Sequence, residues 1–71
     1  MNKEEFQFKN KRILIYGFGI SGKACFRHLN RNNHTFIYDD NSKLISKKYK
    51  KKLLNRKKIS KHNFNYIVIS P

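Results

Sequence analysis

Three groups of residues in this chain are of types that do chemistry. The first, Gly17-Phe18-Gly19-Ile20-Ser21-Gly22, follows the apolar run 13–16 with no spacer and leads straight into a helix-compatible segment. A strand that ends, turns tightly and opens a helix presents backbone N–H groups and the positive end of the helix dipole to an anion. In such a loop Gly17 permits the turn, Gly19 lets backbone approach a diphosphate, and Gly22 lets the helix pack closely on the strand. The N–H groups near Ile20 and Ser21 would meet phosphate oxygens, with the Ser21 hydroxyl as one more donor. The second group is Asp39-Asp40-Asn41. Asp39 closes another apolar run 20 residues after Gly19, where an acid bonds a ribose hydroxyl in nicotinamide enzymes. A carboxylate there accepts equally well from a base N–H, and Asp-Asp-Asn is also ordinary turn chemistry. The third is Ser70-Pro71, at the end of a last apolar run, since ligands of open parallel sheets sit at such strand ends.

No other set of residues suggests a reaction. His28, His34 and His62 are scattered without metal-ligand spacing, and Cys25 is the single cysteine. With four acidic residues and no Ser/His/Asp or Cys/His arrangement, the sequence names no catalytic group and no metal site.

The elements that must position these groups alternate. Residues 13–16, Ile-Leu-Ile-Tyr, are continuously apolar, as in a strand buried on both faces. Ser21 lies in the expected N-cap region of a first helix. Gly22, Cys25, Phe26 and Leu29 then recur at helical spacing as its buried face, with Lys23, Arg27 and Asn30 opposite. Asn32-Asn33 ends this helix, because Asn tolerates a left-handed cap. Thr35-Phe36-Ile37-Tyr38 is rich in strand formers. Ser42 opens a second helix over 44–55, with Ile45, Tyr49, Lys52 and Leu53 on one thin stripe. Lys58-Ile59-Ser60 is read as a very short strand and 66–69 as a clear one. Residues 1–10 read as a polar arm with two apolar anchors, Phe6 and Phe8. This order predicts βαβ units around a parallel sheet, an α/β fold of Rossmann type. A parallel strand covered on both faces calls for more helices than 71 residues supply, so the expectation is the opening piece of a longer protein.

The charge is large: 17 Lys and Arg against 4 Asp and Glu, a net +13. Thirteen of the 17 are lysines, and Lys, Asn and Ile share AT-rich codons. Base composition therefore accounts for much of the charge, and the lysine run 47–52 is read as a solvated helix face rather than a nucleic-acid surface. The polar N-terminus is no signal peptide, and no apolar run nears the roughly 18 residues of a membrane span. One unpaired thiol suits a reducing compartment.

Taken together and in order, Ile13-Leu14-Ile15-Tyr16 into GFGISGKA, then FIYDDN, then NYIVISP resemble the N-terminal domain of the Mur ligases, nearest to the branch that adds D-glutamate. That family shows an apolar strand, G-x-G-x-[ST]-G, a strand ending Tyr-Asp-Asp or similar, and a strand ending Ser-Pro-Gly. The resemblance covers the chain from about Lys11 onward. It implies that residues 1–71 are part of a UDP-substrate-binding domain. Gly19, Ile20, Ser21 and Gly22 would face the diphosphate of UDP-N-acetylmuramoyl-L-alanine. Asp39, Asp40 and Asn41 would lie at the uracil, and Ser70 and Pro71 would border the uridine pocket. It also implies that 66–70 is the fourth strand of the sheet and 58–60 a short third. The implied reaction is cytoplasmic. ATP, with Mg2+, phosphorylates the substrate carboxylate, and the amine of D-glutamate attacks the acyl phosphate. The ATP, Mg2+ and D-glutamate sites would lie in central and C-terminal domains outside these residues, so this piece binds substrate without catalysing. Two other readings remain from the residues alone. One is an NAD-binding Rossmann domain of an oxidoreductase or regulator, which shares the glycine loop and Asp39. The other is a small basic nucleic-acid-binding protein, which rests on charge.

Overall fold

The computed structural model describes residues 9–70. The anchors Phe6 and Phe8 and the terminal Pro71 lie outside that range. The described chain runs β1 (Arg12–Tyr16), α1 (Ile20–Leu29), β2 (His34–Tyr38), two 3-10 helices (Ser42–Leu44 and Lys47–Lys52), α2 (Arg56–Lys61) and β3 (Tyr66–Ile69). The three strands form one parallel sheet in the order β2-β1-β3. The expected parallel sheet with flanking helices is present, and the strand at 66–69 does neighbour the first.

Alternation along the strands divides the core between the two faces of the sheet. On one face Ile15 and Ile37 pack with Phe18, Phe26 of α1, Ile45 and Tyr49. On the other, Leu14 and Tyr38 pack with Leu54, and Phe36, Ile59 and Phe64 close around them. Ile13, Ile15 and Ile37 are completely buried. Each such side chain contributes about 1.5–3 kcal/mol of transfer free energy, which is why the central strand reads as unbroken aliphatic sequence.

α1 buries Gly22, Phe26 and Leu29 and exposes Lys23, Arg27 and Asn30, as its periodicity demands. Cys25 is half-buried against the same core. Both ends of α1 differ from expectation. The N-cap is Gly19, and Ser21 lies exposed in the first turn with no capping bond. At the C-terminal end the cap residue Asn30 is right-handed, and neither Asn32 nor Asn33 takes positive φ. Instead the Asn33 amide donates to the Leu29 carbonyl at 3.0 Å while its oxygen accepts from the Lys11 N–H. A side chain satisfies the orphan carbonyl and ties α1 to the start of β1, so no left-handed residue is needed.

The helix expected over 44–55 does not form. Two 3-10 turns occupy that stretch, and neither the Asn41 nor the Ser46 side chain caps them. Consecutive lysines place like charges at i and i+4, which disfavours an α-helix, and the core contacts of the stretch do not share one helical face: Ile45, Tyr49 and Leu53 pack on one cluster and Leu54 on the other. The chain then straightens. Leu53 makes a single parallel bridge to Ile37, and the Leu54 N–H donates to the Ile37 carbonyl at 2.8 Å.

The strand expected at Lys58-Ile59-Ser60 is also corrected: those residues lie in α2. Asn55 sets the start of this helix, its side chain accepting from the Lys58 N–H at 2.8 Å. The one-residue bridge at Leu53 takes the outer place beside β2 that a third strand would hold.

β3 is fixed from its N-terminal end. Arg12 donates from Nε to the Asn63 carbonyl at 2.8 Å and lies 2.7 Å from His62 Nδ1. The backbone of Arg12 exchanges bonds with Asn65. Its outer flank is open, leaving Ile67 58% and Ile69 80% exposed.

Candidate functional site

The carboxyl end of β1 is where the three sequence motifs meet. Gly17 turns the chain at φ +99°, a conformation that L side chains rarely adopt. A Cβ on Gly17 would run into the Ser70 carbonyl oxygen, and a Cβ on Gly22 would run into the Gly17 carbonyl oxygen. Two of the loop's glycines are therefore demanded by close backbone approach, one strand end against the loop and the loop against its own helix. Gly19, at φ −82° and ψ −153°, is in extended backbone open to any residue.

The loop is held by its neighbours on both sides. The Gly17 N–H donates to the Tyr38 carbonyl at 2.8 Å, and the Ser70 N–H donates to the Tyr16 carbonyl at 2.9 Å. Asp39 reaches back from the end of β2 and accepts the Phe18 N–H on Oδ2 at 2.6 Å, while its Oδ1 accepts the Asn41 N–H at 2.7 Å. Phe18 is the member of the loop that sequence reasoning passed over. Its ring is buried and meets Tyr49 at 4.7 Å and Phe26 at 5.9 Å between centroids, both edge-on. A bulky apolar residue between two loop glycines was the available signal. It anchors the loop in the core.

α1 begins here without neutralisation. No side chain caps it, and its first turn holds no acidic residue. Ile20 is 90% exposed and Ser21 is exposed too, while Gly22 is buried, so the start of the helix, with its positive dipole end, lies at the surface. The Ser70 Oγ is buried beside Gly22 and has no hydrogen-bond partner among the described residues.

A cleft of about 350 Å³ opens at the end of β2, lined by Tyr38, Asp39, Asp40, Ser42, Asn55 and Arg56 among others. Arg56 donates to the Tyr38 hydroxyl at 3.0 Å and lies 3.9 Å from Asp40, and Tyr38 in turn donates to Asp40 at 2.9 Å. The Tyr38 hydrogen bond, reinforced by the Asp40 carboxylate, raises the Arg56 pKa, so this guanidinium stays cationic throughout. Tyr16 stacks obliquely on Tyr38 at 5.1 Å. Arg56 was not anticipated as a site residue. Its contribution depends on α2, of which the sequence suggests only a short strand at 58–60.

The residues expected at the uridine divide. Asp39 and Asp40 line the cleft; Asn41 is exposed and bonded to Asp39; Ser70 belongs to the glycine loop. Among the described residues no group of three His, Cys, Asp or Glu side chains could hold a metal ion, and no helix is long and apolar enough to cross a membrane.

No family model matches this chain. Comparison with curated proteins and with solved structures finds no match either. The function therefore rests on the geometry of the site.

The Asp39 clamp gives a direct expectation. Asp39→Ala removes the acceptor of two backbone N–H groups and lowers stability by about 1–3 kcal/mol, the cost of leaving such donors unsatisfied. Urea unfolding reads the loss, and the Phe18 amide should exchange with solvent markedly faster than in the parent chain. An unchanged Phe18 exchange rate would mean that the carboxylate does not hold the loop.

Proposed function

We propose that this chain binds the UDP moiety of a nucleotide-linked substrate, as the N-terminal part of a UDP-N-acetylmuramoyl-L-alanine:D-glutamate ligase. The carrying observation is the convergence of the glycine loop, Asp39 and Ser70 at the carboxyl end of β1. These are the motifs on which the resemblance to the Mur ligases rests. The parallel bridge from Leu53 to Ile37 is compatible with the same reading, because it lies on the outer side of β2 where a third strand of a Rossmann-type order would run.

In this reading the diphosphate lies over the start of α1. The N–H groups of Ile20, Ser21 and Gly22 donate to its oxygens, Gly19 leaves the approach free of a side chain, and the helix dipole adds its favourable field. The unpartnered Ser70 hydroxyl is available beside Gly22. The nucleoside extends toward the cleft at Asp39 and Asp40, whose volume is within the usual range for small-molecule sites. This chain supplies binding and orientation only. ATP, Mg2+ and D-glutamate would be handled by segments outside these 71 residues.

The nicotinamide alternative asks Asp39 to face a ribose diol. Here each of its oxygens already accepts a backbone N–H and keeps one further acceptor site, so Asp39 positions the loop in either reading and does not by itself separate them. Titration of the chain with UDP-N-acetylmuramoyl-L-alanine, UDP and NAD, followed by amide resonances, separates the two. The expected result is movement of the Ile20, Ser21 and Gly22 amides with both UDP compounds and little with NAD. Binding of NAD in preference to UDP would reverse the assignment, and silence of those three amides toward UDP would remove it.

A further inference from the structure

The lysine-rich segment between β2 and β3 is a single basic strap around one edge of the sheet. Residues 43–61 carry ten Lys or Arg and no acid. Ile45 and Tyr49 are buried on the α1 face, Leu53 bridges the edge of β2, and Leu54 and Ile59 pack on the opposite face. These apolar contacts all point inward, and the cations of the strap are left on the rim. Nine of the ten are exposed; Lys52 is half-buried, over the Phe36 ring.

Almost nothing neutralises this rim. The only carboxylates among the described residues are Asp39 and Asp40. Asp39 is bonded to two backbone N–H groups, and Asp40 faces Arg56, the one ion pair found there. The codon bias that could have produced the lysines does not lessen their field. Cations concentrated on one edge without counter-charges attract a polyanion and gain from the counterions it releases.

We propose that this strap is a sequence-independent binding surface for the phosphate backbone of duplex nucleic acid, separate from the UDP reading above. The 3-10 helix Lys47–Lys52 extends about 12 Å at its usual rise, while duplex DNA presents one charge per roughly 1.7 Å of axis, so its lysines meet several phosphates together. A duplex fits better than a single strand, because the strap has no exposed aromatic ring for bases to stack on: its one aromatic residue, Tyr49, is buried. An anionic membrane fits less well, because Ile45, Tyr49 and Leu54 are buried and are not free to enter the acyl boundary.

The test is fluorescence anisotropy of a labelled 20-base-pair duplex of arbitrary sequence, measured over a range of salt. Two variants with equal loss of charge are compared. One carries Lys→Gln at Lys47, Lys50, Lys51 and Lys57 on the strap. The other carries Gln at Lys9, Lys23, Arg27 and Arg31, away from it. Circular dichroism checks that both fold. The strap variant should lower the slope of log K against log salt by about 3–4, at about 0.9 per lost phosphate contact. The second variant should lower it by less than one. Equal effects of the two variants, or no binding of the duplex at low salt, would overturn the proposal. So would tighter binding to vesicles of phosphatidylserine and phosphatidylcholine.

Discussion

Gly22→Val should destabilise the chain by about 3 kcal/mol and abolish binding of UDP compounds. The obstacle to any side chain at Gly22 is the carbonyl oxygen of Gly17, with the Ser70 Oγ also close. A flexible side chain could swing aside; a backbone carbonyl cannot, and this one is pinned through the Phe18 N–H of the same peptide unit to Asp39. Relief would require α1 to move off β1 or the loop to leave the end of the sheet. Overpacking of this kind costs about 1–3 kcal/mol, and the rigid obstacle puts Gly22 at the upper end. The same displacement pulls the first-turn N–H groups away from Gly19 and Ser70, so binding is lost with the packing. Urea unfolding of the variant, with its slope unchanged and its midpoint lowered, is the measurement. Stability within about 0.5 kcal/mol of the parent chain, the usual range of neutral surface changes, would show that α1 does not depend on this contact.

Ile15→Ala should cost about 4 kcal/mol, more than any surface change. Ile15 is the middle of the central strand, in register with Ile37 on one side and Val68 on the other, and it is completely buried. It belongs to the cluster that holds Phe18 and Phe26, so the cavity would open directly under the glycine loop. Truncation of a buried Ile to Ala costs about 2–5 kcal/mol, and a site enclosed by other strands and rings has little freedom to collapse. Ile69→Ala is the internal comparison. It sits on β3, 80% exposed, and should change stability by less than about 0.5 kcal/mol. Similar losses at the two positions would contradict a core centred on β1.

The sheet, its direction and the first helix could all be read from the sequence. Continuous apolar runs at 13–16 and 66–69 mark strands, the first lying between two neighbours and the second at the sheet edge, and the spacing of Gly22, Phe26 and Leu29 marks one face of a helix. The stretch from Ser42 to Lys61 could not be read this way. Its apolar residues are sparse enough to suit a helix, a 3-10 turn or a strand. Ile45 and Tyr49 turn to one face of the sheet and Leu54 and Ile59 to the other. A stripe drawn on a single helix cannot represent a segment that wraps an edge. The cap at Asn55 was visible as a residue type, but nothing nearby distinguished its helix from the short strand expected three residues on.

The candidate site shows the same division. The sequence by itself determined the glycine loop, its place between a strand and a helix, and the two other strand ends that accompany it, because glycine spacing and aliphatic runs are local signals. Tertiary structure alone decided what those residues do to one another. Asp39 reaches across from β2 to hold the Phe18 N–H, and Ser70 comes from β3 to press on Gly17. Arg56 joins Asp40 and Tyr38 only because α2 forms. Each of these contacts joins residues distant along the chain, so each depends on the order in which parallel strands assemble. That order is set by packing on both faces of the sheet, which no local pattern encodes.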